Sequence, residues 1–204
     1  MQQNEEALLI KKAKNGDVEA FEELIQQYEK TIYQLCLRML KEPQEAYDAA
    51  QEVCIKVWRQ LDTFEEASKL STWIYRIATN QCLDLIRKNK RRAVEISLYQ
   101  SDEQAHQEEK ITNKQSIWDD ISEIMAQKEM SEVLMQGISE MKEDYRAILI
   151  LRDIEEKAYE EIAEILALSL GTVKSRISRA RQALMKILEQ DKEPYRSFFR
   201  HIKE

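Results

Sequence analysis

Five basic residues and no acidic one fall between Ser169 and Leu188, in SLGTVKSRISRARQALMKIL. That stretch carries +5 in a 204-residue chain whose formal net charge is −7. At helical period Val173, Ile177, Ala180, Leu184 and Ile187 make one apolar stripe. The other face holds Lys174, Ser175, Arg176, Ser178, Arg179 and Arg181. Ammonium and guanidinium groups in such an array hold phosphates or read guanine edges, so the chemistry on offer is nucleic-acid binding. The competing reading is the solvated face of an ordinary bundle helix.

A second group follows a polar loop, Glu65–Lys69. On a helix expected to begin at Trp73, capped by Ser71-Thr72, the residues Ile74, Ile77, Ala78 and Leu85 point inward. Trp73, Arg76, Asn80 and Arg87, with Leu83 among them, share another face ahead of the basic run KNKRR. An aromatic, an amide and two guanidinium groups on one ridge suit single-stranded or partly melted DNA, because aromatics stack on unpaired bases while Arg holds phosphate. Trp73 reads equally well as a half-buried core aromatic. A third group lies on the helix Gln44–Leu61, whose core stripe is Ala50, Val53, Cys54, Val57 and Leu61. Asp48, Gln51, Glu52, Ile55 and Arg59 occupy the far side. A polar outer face is the ordinary expectation, but an acidic-amide stripe broken by exposed Ile55 also suits a partner helix.

Catalytic and metal-binding patterns are missing from the sequence. His106 and His201 have no partners at ligand spacing, and neither a Gly-rich phosphate loop nor a nucleophile elbow occurs. Cys36, Cys54 and Cys82 are odd in number and sit in apolar helical stretches, as reduced core thiols do. The expectation is a non-enzyme with no cofactor and no metal.

The elements that must position these groups are helices. Three Gly and two Pro in 204 residues leave little else. Glu5–Lys14 and Val18–Tyr28 form two helical patterns with Asn15-Gly16-Asp17 as turn and cap, and Thr31–Lys41 continues the bundle up to Pro43. Near the other end Tyr159–Leu166 is a short helix, Ala167-Leu168 a break, and Ser169 the cap of the basic helix. Two short helices across a tight turn, the second basic, make a helix-turn-helix, which lays its second helix in the DNA major groove. No apolar run approaches the ~18 residues of a membrane span, and MQQNEEALL is not a signal peptide, so a soluble cytoplasmic protein, monomeric when free, is expected.

Charge is unevenly spread. Ser68–Arg92 holds seven basic residues against Asp84, whereas Ala93–Asp144 holds thirteen acids against four lysines. Two basic patches separated by an acidic stretch suggest two nucleic-acid contacts that the overall acidity conceals. The acidic stretch opens with a polar segment, SLYQSDEQAHQEEK, that reads as unstructured. Ile117, Trp118, Ile121, Ile124 and Met125 then form an amphipathic pattern, and the tail Asp191–Glu204 carries Tyr195, Phe198 and Phe199. The architecture expected is all-α, with two small helical domains (1–92 and 129–190) joined by an acidic flexible linker (93–128) and followed by a tail (191–204).

DAAQEVCIKVWRQLDTF, STWIYRIATNQCLDLIRKNKRR and DYRAILILRDIEEKAYEEIAEILALSLGTVKSRISRARQAL, in that order, resemble the extracytoplasmic-function group of bacterial RNA polymerase sigma factors. The resemblance implies a promoter-specificity subunit whose N-terminal domain engages the β′ clamp and opens the −10 element. Its C-terminal domain would read the −35 element and meet the β flap. Asp48, Gln51 and Glu52 then fall, beside Ile55, on the polymerase-binding helix. Lys69, Ser71, Trp73, Arg76 and Asn80 fall in the −10 region, with Arg87 farther along the same helix. Thr172, Lys174, Ser175, Arg176 and Arg179 fall on the −35 recognition helix, with Arg181 beside them. Members of the group are generally restrained by an anti-sigma factor, which is therefore an expected partner. Three departures stand out: Phe64-Glu65-Glu66-Ala67 lacks the basic residue and glycine common before STW, Ala167 replaces a usual Gly, and Lys142 replaces a frequent Pro. The free chain is expected to bind duplex promoter DNA poorly, because its acidity opposes phosphate approach. A stand-alone DNA-binding regulator with an N-terminal sensor, or a helical adaptor with no DNA role, are the alternatives.

Overall fold

The computed structural model describes residues 3–65, 68–99 and 133–190, and every regular element among them is helical. The amphipathic segment around Trp118 and the tail after Gln190 lie outside the described residues. Helix α1 (Gln3–Lys14) turns into α2 (Val18–Leu40) through Gly16, whose φ of +87° suits a residue without Cβ. Asp17 caps α2, its Oδ1 accepting the Ala20 N–H at 3.0 Å. The expected break near Glu29-Lys30 does not occur: Val18–Leu40 is one helix of 23 residues. The two apolar stripes are in phase, since Ile32 lies one turn beyond Tyr28 and two beyond Ile25, so burial favours an unbroken rod.

Lys41 ends α2 with φ +71°, and Pro43 opens α3 (Pro43–Gln60), where its missing N–H costs nothing. Ala46, Ala49 and Ala50 are buried there and let α3 lie close against α2. After a 3₁₀ turn, Leu61–Thr63, helix α4 (Leu70–Tyr99) starts before Ser71-Thr72. Those residues therefore lie inside the first turn and are not caps, and Thr72 is buried. The helix also continues beyond Arg92, so residues 93–99, expected to begin the linker, extend the rod. Cys36 and Cys82 are buried and free. The Cys82 thiol hydrogen-bonds with Cys36, which together with burial holds it far above the ordinary thiol range. Half-buried Cys54 is pushed up to about 11, chiefly by burial.

The C-terminal half begins with α5 (133–140) and α6 (Glu143–Leu149), which widens into a π-type turn, Ile150–Ile154. Helices α7 (Tyr159–Leu166) and α8 (Leu170–Gln190) follow. Ile148–Leu151, Ile162, Ile165, Val173, Ile177 and Ala180 form its core. A Cβ on Gly137 would lie 3.0 Å from both Leu184 Cδ1 and Leu188 Cδ2, so the glycine permits α5 to cross α8 closely. The buried residues of the two halves join in one continuous cluster.

Ala167 has φ 52° and ψ 49°, the left-handed conformation in which a Cβ is strained. Ala167→Gly is expected to raise the free energy of unfolding by about 0.5–1 kcal/mol, relief of strain exceeding the added chain entropy. Urea denaturation of the two proteins checks this.

Candidate nucleic-acid interface

The basic face of α8 is set by the helix start. Ser169 Oγ accepts the Thr172 N–H at 3.2 Å and lies 2.8 Å from Thr172 Oγ1. Val173, Ile177 and Ala180 are buried, whereas Leu184 and Ile187 are half-buried. Lys174, Ser175, Ser178, Arg179 and Arg181 consequently face solvent, and Thr172 and Arg176 are half-buried. Arg176 Nη1 stands 3.6 Å from Asp144 Oδ2. Arg181 grips Asp153 with two nitrogens, Nη2–Oδ1 2.5 Å and Nε–Oδ2 3.2 Å, and this hydrogen bonding raises its already high pKa. A notch of about 340 Å³ between α6 and α8 is lined by Lys142, Asp144, Thr172, Ser175, Arg176 and Arg179. Thr172, Ser175, Arg176 and Arg179 thus line one flank of α8 beside α6, whereas Lys174 and Arg181 lie on the other flank, where Arg181 is engaged by Asp153.

Lys69, just ahead of α4, and Arg76, Asn80 and Arg87 on it fall within about 40° of arc at 100° per residue. All four are exposed, and Ser71 is half-buried. The exceptions are Trp73 and Leu83, placed by the sequence on this ridge but only 4 % and 6 % exposed. Trp73 packs against Phe64, ring centroids 5.4 Å apart. The burial of an apolar ring against another outweighs its angular position on the helix. Lys14 locks this corner, its Nζ donating to Phe64 O at 2.6 Å and lying 5.6 Å from the Phe64 ring centre. Trp73 is therefore a core residue in this structure, not a surface platform for bases.

Asp48, Gln51, Ile55 and Arg59 are exposed on the outer face of α3, with Glu52 half-buried. Gln44 Nε2 donates to Asp48 Oδ1 at 3.1 Å. The sequence reading passed over Tyr47, which is 55 % exposed one turn ahead of Gln51. Its signal was available: an aromatic off the core stripe, at the margin of the arc that holds Gln51 and Ile55.

Sequence gave no notice that the two halves meet through charge. Glu155, its side chain only 9 % exposed, accepts hydrogen bonds from Arg38 and from Tyr75 Oη, the latter at 2.6 Å. Burial and then this contact hold the Tyr75 hydroxyl above its usual pKa. Lys157 Nζ lies 3.9 Å from the Tyr75 ring centre. Just before α4, Lys69 Nζ is 3.6 Å from Glu161 Oε1, and farther along the helix Arg87 Nη2 is 3.5 Å from Asp144 Oδ1 and Lys90 Nζ 2.5 Å from Glu143 Oε2. Hydrogen bonding by Lys90 heads the causes that keep the Glu143 carboxyl below the usual range. Arg146 Nη1 donates to Met39 O at 2.9 Å, at the carbonyl end of α2. Among the described residues no group of His, Cys, Asp and Glu is arranged to hold a metal ion, and no helix is long and apolar enough to cross a membrane.

Comparison with known proteins matches the two halves of the chain separately. Residues 24–92 fit the family described as Sigma-70 region 2, and residues 131–184 that described as Sigma-70, region 4. The chain is 40% identical over 181 residues to the ECF RNA polymerase sigma factor SigW of Bacillus subtilis, covering 88% of this chain and 94% of that protein. It is 35% identical over 189 residues to the RNA polymerase sigma-H factor of Pseudomonas aeruginosa, covering 92% and 95%. Among solved structures, CnrH in complex with the cytosolic domain of CnrY shares the fold, with TM-score 0.62, 21% identity, and coverage of 92% of this chain and 99% of that one. The sigma factor RpoE in complex with the anti-sigma factor NepR from Bartonella quintana gives TM-score 0.58 and 25% identity, covering 84% and 98%.

Removing the cap that starts the basic helix should loosen this face. Ser169→Ala is expected to cost about 1 kcal/mol of stability. Faster amide exchange at Thr172 and its neighbours, with little change in α2, is the measurement that checks it.

Proposed function

The chain belongs to the extracytoplasmic-function RNA polymerase sigma factors, and we propose how its own residues carry out the family's task. It directs core polymerase to specific promoters and starts transcription there. It is a transcription initiation factor acting in the cytoplasm, not an enzyme, and an anti-sigma factor regulates it. The structural likeness to a sigma factor bound by its anti-sigma factor supports that last point.

The observation that carries the residue-level reading is the separation of two basic helix faces, one in each matched region. On α8, Lys174, Ser175, Arg176 and Arg179 meet the −35 element, with Thr172 and the notch beside Lys142 taking a backbone phosphate and Arg181 at the edge. On α4, Lys69, Ser71, Arg76, Asn80 and Arg87 meet the −10 element. Trp73 supports this ridge from beneath by fixing Phe64. On α3, Asp48, Gln51, Glu52 and Ile55, joined by Tyr47, bind the polymerase clamp: a half-apolar patch ringed by polar groups suits a protein partner better than a phosphate backbone. The two DNA contacts are weak singly and act together once polymerase fixes their spacing.

Run-off transcription with purified core polymerase tests this reading. The wild-type chain should initiate at a discrete promoter. Arg176→Ala should lower use of −35-dependent promoters about tenfold, as expected for a base contact worth ~1–3 kcal/mol. Ile55→Asp should weaken association with core polymerase itself by a similar factor. Sequence-specific DNA binding without polymerase, at paired half-sites, would instead favour a stand-alone regulator. Failure of both activities would leave a helical adaptor.

A further inference from the structure

The −10 ridge begins just after the chain leaves the 3₁₀ turn. The Phe64 N–H donates to Leu61 O at 3.0 Å, and the backbone is extended at Phe64, with φ −69° and ψ 113°. The donor to the Phe64 carbonyl is the Lys14 ammonium, at 2.6 Å. The same ammonium lies 5.6 Å from the centre of the Phe64 ring, within reach of a cation–π contact. Phe64 is buried against buried Trp73, whose N–H donates to the carbonyl of Lys69 at 3.2 Å. A line of direct contacts thus runs from Lys14 through Phe64 and Trp73 to Lys69, the first cation of the ridge. Lys14 comes to this corner from another helix, 50 residues away along the chain. It closes α1, which is seated by buried Leu9, Ile10 and Ala13 and by the hydrogen bond from Tyr28 Oη of α2 to Glu6. Helix α1 precedes residues 24–92, the stretch that fits Sigma-70 region 2.

We propose that Lys14 is a positioning residue for −10 recognition: by holding the carbonyl and ring of Phe64 it fixes Trp73, and with it the place from which Lys69 and Ser71 meet DNA. Burial of the two rings is non-directional and would by itself let them slide against each other. A hydrogen bond from a charged donor is shorter and stronger than a neutral one and weakens steeply with misalignment, so one ammonium restricts where Phe64 can sit. Lys14 is half-buried and its charge is engaged at the carbonyl, so it acts through Phe64 and not on phosphate. The register of the DNA strand on the ridge is then set from a corner that no base reaches. The proposal rests on the assignment of α4 to the −10 element.

Competitive run-off transcription with purified core polymerase tests it, using one promoter library randomised in the −10 region with a constant −35 element and a second with the reverse. Lys14→Met keeps an unbranched side chain but loses its charge and donors. It should relax the selectivity of the wild-type chain at the −10 region about fivefold, in the range of one lost hydrogen bond, while selectivity at −35 and association with core polymerase stay unchanged. Lys14→Arg, which retains charge and donors, should keep the wild-type −10 profile. Templates competing in one reaction share the same enzyme, so a smaller folded fraction lowers every transcript alike and does not shift the profile. If Lys14→Met does not fold, Lys14→Gln, a neutral donor, takes its place with the same relaxation expected. Equal loss of selectivity at both elements would mark a merely structural role and overturn the proposal, as would Lys14→Arg behaving like Lys14→Met. A −10 profile that Arg76→Ala disturbs and Lys14→Met does not would overturn this proposal alone. One that Arg76→Ala also leaves untouched would sink the assignment of α4, and the proposal with it.

Discussion

A carboxylate with less than a tenth of its side chain in water needs hydrogen-bond donors around it, and Glu155 finds them by reaching across to the other half of the chain. Arg38 on α2, Tyr75 on α4 and the turn after α6 all converge there. With Arg38 33 % exposed the pair is only partly buried, yet it is better shielded than an exposed pair, which contributes ~0–1 kcal/mol. The contacts Lys69–Glu161, Arg87–Asp144 and Lys90–Glu143 therefore set orientation and salt dependence more than strength. This short polar set adds to the continuous apolar cluster in joining the two described halves.

Much of the site was legible because it follows helical periodicity. The stripe Val173–Ile177–Ala180 is buried, the basic face of α8 is outward, and Asp48, Gln51 and Ile55 are exposed on α3, all as 100° per residue requires. The Ser169 cap and the strained Ala167 were legible from local turn chemistry. What escaped was tertiary. Trp73 has a surface-facing angle but packs against Phe64, which reaches it from the preceding loop and is itself held by Lys14 of α1. The continuity of α2 was hidden because Glu29 and Lys30 interrupt the apolar pattern without breaking its phase. The meeting of Glu155 with Arg38, 117 residues away along the chain, leaves no periodic trace at all.

Net charge misleads for a related reason. A chain at −7 seems ill suited to DNA, yet its acids and bases are sorted by element and, once folded, partly cancel each other across the contact between halves. The same sorting separates the two kinds of surface. The patch on α3 keeps Ile55 and Tyr47 in solvent, which has no use in phosphate binding, while the ridge on α4 keeps its aromatics buried. Chemistry suited to a protein partner and chemistry suited to nucleic acid thus occupy neighbouring helices of one bundle.

The Cys36–Cys82 pair has a practical consequence. Both thiols are buried in the N-terminal bundle, and hydrogen bonding and burial hold that of Cys82 protonated, whereas Cys54 is partly accessible. An alkylating reagent therefore meets Cys54 through small local motions but the other two only when the N-terminal helices separate. Their modification rates form an internal clock for that separation, so the native chain reports its own unfolding without an added label.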